Sequence, residues 1–166
     1  PFTAFWTVAG STVSGNQTMW SLSDGTSSGS YLLVRSNGTA WQVERRTNAG
    51  VTTTLTASGV TAPDFGPHNF ILVYDGSAAT LYVDGSAATL TAAGALGGGA
   101  CTLTTGGLAC LLRDTASEAS STNYAEWGMC VTNLTGDNLT TLLAYQAARY
   151  PVQTPTSLVL NLSASI

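Results

Sequence analysis

Asp-Gly or Asn-Gly pairs stand at 24–25, 37–38, 75–76 and 84–85, and this punctuation constrains the fold more than any other feature of the chain. Such pairs accept the left-handed backbone of tight hairpin turns. Between them lie short runs rich in β-branched and aromatic residues, the pattern of strands rather than helices. The stretch YDGSAATLYVDGSAATL, residues 74–90, repeats DGSAATL after nine residues. Seen only twice, that period is too short for a solenoid. It reads as strand, turn, strand, turn: two corners of a meander.

Extended along the chain, the same reading predicts strands at about 2–9, 17–23, 30–36, 40–47, 51–57, 68–75, 79–84, 87–91, 101–105, 108–113, 125–132 and 157–163. Many short strands at regular spacing indicate a sandwich or a barrel. One segment departs from this. LTGDNLTTLLAYQAARYP, 134–151, places apolar residues at 139, 142, 143 and 147, a helical spacing. Asp137 or Asn138 can cap its start and Pro151 ends it, so a single helix is expected over roughly 138–149. In the tail beyond, Leu158, Leu160 and Leu162 alternate onto one face of a last strand.

With 166 residues the chain is long enough for one domain with a real core. Apolar residues make up 44% and charged residues only 8%. The surface is therefore built from Thr, Ser, Asn, Gln and Gly. The five cations are all Arg, and the net charge is −4. No basic run interleaves with aromatics, which argues against a nucleic-acid partner. No apolar run approaches the roughly 20 residues of a membrane helix. The start, PFTAFWTVAG, lacks the charged beginning and apolar centre of a secretory signal. Pro1 is equally compatible with loss of an initiator Met and with trimming from a larger chain.

Cys101, Cys110 and Cys130 show no paired spacing, and His68 is the single histidine, so a zinc site is not indicated. Buried free thiols, or one disulfide with a thiol left over, both fit. Asn16, Asn37, Asn133, Asn138 and Asn161 each open an N-x-Ser/Thr sequon, as chance allows in a chain so rich in Ser and Thr.

The hairpin HNFILVYDGSAATLYVDGSAAT resembles the central hairpin of laminin-G-like domains in the concanavalin A-like lectin/glucanase superfamily. Three more stretches resemble that family in the same order. They are FTAFWTV, NQTMWSLSDG, and, after the Gly pair 106–107, AEWGMCVTNLTGDNLTTLLAYQAARY. Together they cover about residues 2–150. The resemblance implies an all-β fold: an antiparallel two-sheet jelly-roll sandwich with one short C-terminal helix. It also implies that His68 is a structural histidine before the central strand. The expected organisation is a jelly roll over 1–150 and an extension over 151–166. The extension's strand would complete the sandwich or contact a neighbour.

A retaining glucanase needs two carboxylates about 5 Å apart. Glu44, Glu118 and Glu126 are each isolated, and Asp24, Asp75, Asp84 and Asp137 sit in turns or beside Gly. His68 has no Ser or Cys nucleophile in any motif. The expectation is a protein that is not an enzyme. As a lectin it would offer exposed aromatics, but Trp6, Trp20, Trp41 and Trp127 all lie in alternating strands and read as core. The polar stretch leading into Tyr124 is the best candidate for recognition, with Asp114, Glu118, Asn123 and Tyr124 as tentative ligand-binding residues. No motif calls for a cofactor. Ca²⁺ at that loop is compatible with its acids, yet DGTSSG at 24–29 lacks the ligand spacing of a calcium loop.

Laminin-G-like domains occur in many bacteriophage structural proteins. The resemblance thus implies a non-enzymatic virion protein, a capsid decoration or tail-associated jelly roll with room for glycan binding. Its partners would be capsid or tail proteins and copies of itself, as a homo-oligomer such as a trimer, with a cell-surface glycan as a further candidate. Neither nucleic acid nor membrane is among them. Its place would be the virion. The alternative is a carbohydrate-binding module or adhesin domain of a larger secreted bacterial protein, found outside the cell.

Overall fold

The computed structural model describes residues 1–8, 15–26, 29–64, 66–91, 96, 98–108 and 123–152. The strands are β1 Phe2–Val8, β2 Gln17–Ser23, β3 Tyr31–Ser36, β4 Trp41–Arg46, β5 Thr52–Ser58, β6 His68–Tyr74, β7 Ala79–Val83, β8 Ser86–Ala87, β9 Thr89–Thr91, β10 Thr105–Leu108 and β11 Tyr124–Cys130. One helix follows, α1 Gly136–Arg149. The strands form a five-stranded sheet ordered β11-β1-β6-β7-β8 and a six-stranded sheet ordered β10-β2-β3-β4-β5-β9. Every ladder among the described residues is antiparallel.

The two sheets face each other across an aromatic core. Trp6 of the smaller sheet stacks on Trp20 of the larger at 5.7 Å, and on its neighbour Phe70 at 5.1 Å. Trp41 stands edge-on to Phe70 at 4.8 Å. Leu32, Val34, Val43, Leu72, Leu81 and Val83 fill the space around these rings. Offset and edge-on ring pairs each add to simple area burial. Because side chains alternate along a strand, one fixed register brings all these residues to the inner faces together.

The duplicated heptapeptide does two different things. Asp75 makes an Asx turn: its Oδ1 accepts from the Ser77 and Ala78 amides at 2.8 and 2.7 Å, and the chain returns as β7 of the same sheet. Asp84 and Gly85 both have positive φ, 52° and 82°, a two-residue turn of the hairpin kind. After it, β8 pairs with β7 for two residues only, and β9 joins β5 of the other sheet. The single strand expected at 87–91 is therefore two strands in two sheets, split at Ala88. The second heptapeptide is a crossing between layers rather than a meander corner.

Two more expectations need adjusting, and two fall outside the described residues. Residues 101–104 form a connection without a strand, and the strand begins at Thr105. The helix starts at Gly136, two residues early, and Thr135 rather than Asp137 or Asn138 is its N-cap residue. The strand expected at 108–113 lies almost wholly outside the described residues, and that at 157–163 lies entirely outside. The other strand bounds agree within about two residues.

The helix lies on the outer face of the smaller sheet. Leu139, Leu142 and Leu143 are half-buried there, as their spacing predicts, while Ala147 is exposed. The one fully buried helix residue is Gln146. Its amide donates to the Trp6 and Phe70 carbonyls, both at 3.3 Å. Leu134 N donates to Thr3 Oγ1 before the helix, and Asn69 Nδ2 donates to the Tyr150 carbonyl after it, each at 2.8 Å. The helix thus returns along the sheet from the end of β11 to its beginning.

A candidate binding cleft at the free edge of the sandwich

β11 is the outermost strand of its sheet, paired with β1 alone among the described residues. The register sets Trp127 opposite Trp6 and Met129 opposite Ala4. Residues directly opposite in an antiparallel pair project to the same face. Trp127 and Met129 therefore point between the sheets, yet among the described residues no further strand flanks them. They are 56% and 47% exposed, and Val131 just beyond is 82% exposed. The expectation that Trp127 is core is corrected here. Its alternation is that of a core residue, but its strand is an edge. The other three tryptophans are buried as expected.

The open edge leads into a cleft of about 670 Å³. Phe2, Trp20, Leu22, Leu103, Trp127 and Met129 supply apolar wall. Arg45, Tyr74 and Thr104 add polar groups. Arg45 is buried and projects inward from β4, where an unsupported charge would be costly. Its Nη1 donates to the Leu96 carbonyl at 3.0 Å and its Nη2 to the Gly99 carbonyl. The side chain staples the 96–104 connection against β4 and so shapes one rim of the cleft. Tyr74 donates its hydroxyl to the Gly76 carbonyl at 2.6 Å, and burial pushes its pKa up. Cys101 lines the same rim. Cys101 and Cys130 are half-buried free thiols, and Cys110 is outside the described residues.

Of the four residues singled out in the sequence, the two described ones, Asn123 and Tyr124, do not line this cleft. Asp114 and Glu118 lie outside the described residues. Asn123 is exposed immediately before β11. Tyr124 is half-buried against the core, and its hydroxyl donates to the Met19 carbonyl at 2.6 Å. That bond ties β11 to β2, one sheet to the other. Tyr124 is a brace between layers rather than an open stacking platform. The exposed aromatic lies three residues on, at Trp127. Sequence reading missed it because alternation reports the face of a strand and not its position in the sheet.

Glu44, Glu126 and Asp84 are occupied locally. Glu44 accepts from Tyr31 Oη at 2.6 Å and Thr54 Oγ1 at 2.8 Å, and pairs with Arg35 at 2.8 Å. Glu126 accepts from the Tyr145 hydroxyl at 2.7 and 2.9 Å, joining β11 to α1. Asp84 serves its turn and more: Oδ1 accepts from Asn69 N, and Oδ2 meets His68 Nδ1, both at 2.9 Å. His68 is buried, with Nε2 at 3.1 Å from Asp64 Oδ1 and the Trp41 ring edge-on at 5.3 Å. Burial works against its protonation, but the Asp84 hydrogen bond and charge, joined by Asp64, outweigh it and raise the pKa above the ordinary 6.5. Among the described residues, no three His, Cys, Asp or Glu side chains are grouped to hold a metal ion, and no helix is long and apolar enough to cross a membrane. No known protein-family model matches the chain, and no curated protein is found similar to it.

Proposed function

We propose that this chain is a non-enzymatic structural protein of a bacteriophage particle. In this reading it is a concanavalin A-like jelly roll serving as a capsid decoration or tail-associated piece, joined to its neighbours through β11. The observation that carries the reading is the row Trp127, Met129 and Val131, exposed along a strand edge that no described strand pairs with. An edge strand with large apolar side chains attracts another chain, and folded proteins that stay apart usually blunt such edges with charge or proline. β11 carries neither on this row. The two antiparallel sheets and the His68–Asp84 hairpin at the centre of the smaller one support the jelly-roll assignment.

The test is self-association of the pure protein and its co-sedimentation with assembled particles. Trp127→Glu should abolish the association while leaving the fold intact. Association unchanged by Trp127→Glu counts against β11 as the contact.

A second reading, a carbohydrate-binding module, is favoured by one specific feature. An exposed tryptophan stands at the mouth of a cleft that also offers Tyr74 and Thr104. A glycan screen run with Ca²⁺ and with EDTA separates the two. Binding lost in Trp127→Ala supports the module, and a blank on folded protein removes it.

A further inference from the structure

We infer that the free edge of β11 receives residues 157–163 from a second copy of this chain, added as an antiparallel strand. The inference rests on the reading of β11 as an assembly surface and names its occupant.

The first argument is complementarity of pattern. β11 is seven residues long and presents Trp127 and Met129 toward the cleft. The segment SLVLNLS, 157–163, is also seven residues long and alternates, with Leu158, Leu160 and Leu162 on one face. Paired beside β11, that face continues the apolar row over the cleft mouth. Val159 and Asn161 then fall on the other side, level with Glu126 and the helix. Strand addition of this kind draws affinity from main-chain hydrogen bonds and specificity from alternate side chains.

The second argument is reach. The described chain ends at Val152, just after Tyr150 is bonded to Asn69 at the start of β6. The position beyond β11 lies three strands away, roughly 14 Å sideways, and below the helix layer. Residues 151–156 extend at most roughly 23 Å. That reaches the beginning of β11, so the chain's own tail would run parallel to it. An antiparallel start, at the Cys130 end, is displaced by a further distance of about 20 Å along the strand, about 24 Å in all, and demands a connection stretched to its limit. Every ladder described here is antiparallel, and a parallel pair is slightly weaker per residue. A tail from another copy has no such restriction. Pro151 and Pro155 favour an extended, stiffened connection, which suits a strand handed to another copy.

Each copy gives at one place and receives at another, so the contact forms a reciprocal dimer, a ring where the rotation closes, or an open chain where it does not. The test is complementation between two full-length variants, read by light scattering. Leu160→Asp spoils the donated strand and keeps the edge. Trp127→Glu spoils the edge and keeps the strand. The wild type should be oligomeric and each variant monomeric. An equimolar mixture should regain a species of twice the monomer mass, which unfolded copies could not form. If Leu160→Asp associates like the wild type while Trp127→Glu does not, the tail is overturned as occupant but the assembly reading stands. Association by both variants overturns both. A monomeric wild type whose Trp127 is shielded only when Leu160 is intact places the tail on its own sheet and overturns the exchange.

Discussion

Trp6 and Trp127 lie directly opposite each other on neighbouring strands and face the same way, yet Trp6 is fully buried and Trp127 is 56% exposed. The difference is one strand. Trp6 has β6 on its other side and the Trp20 ring above it. Beyond Trp127 no described strand continues the ladder. Two residues of equal chemistry thereby end in different surroundings, one in the core and one at an exposed edge.

Their substitutions should separate accordingly. Trp6→Ala opens a cavity among stacked rings and should cost about 3–5 kcal/mol. Trp127→Ala should change the stability of the isolated chain by about 0.5 kcal/mol or less. Urea unfolding of the two variants at a concentration where the wild type is monomeric measures both. Equal losses would mean that Trp127 is core after all.

His68 gives the fold a pH dependence of definite sign. Its folded pKa is raised above the unfolded value near 6.5, so protonated His68 stabilises the native state. That contribution is complete below about 6.5 and fades as pH rises through the folded pKa. The urea midpoint should therefore fall from pH 6 toward pH 8.5. Asp84→Asn should flatten the slope without straining the turn, because Asn accepts the positive φ that Asp84 adopts. A slope unchanged in this variant would remove Asp84 as the cause.

Arg45→Met should release the 96–104 connection. The Leu96 and Gly99 carbonyls lose their donor, at a cost of about 2 kcal/mol. Amide exchange in 98–104 should speed up while β6 stays protected. Uniform acceleration across both sheets would show instead that Arg45 supports the whole core.

Gly128 should not accept a side chain. A Cβ there would sit 2.5 Å from Phe5 Cε1, the ring across the β1–β11 ladder. Gly128→Ala should destabilise by about 1–3 kcal/mol. Phe5→Ala in the same chain should recover part of that loss, a coupling measurable in a double-mutant cycle.

Much of this architecture was legible in the sequence. Period-two alternation and Asp-Gly or Asn-Gly turns gave the bounds of β1 to β7 within about two residues. What escaped depends on partners distant in the chain. The split of 87–91 at Ala88 follows from β5 offering an open side to β9. Gln146 is buried where its amide donates to two sheet carbonyls, which no helical period reveals. The candidate site shifted from Tyr124 to Trp127 for a similar reason. The Met19 carbonyl that claims the Tyr124 hydroxyl, and the outermost place of Trp127's strand among the described residues, both depend on how the sheets are arranged.

The most direct test of β11 as the contact surface is the oxidation of tryptophan by N-bromosuccinimide across a dilution series. Trp6, Trp20 and Trp41 are buried and should stay unreactive throughout. Trp127 should be protected in the associated protein and become reactive as dilution separates the copies. If Trp127 reacts equally fast at every concentration while the protein remains associated, the contact lies elsewhere and the account fails.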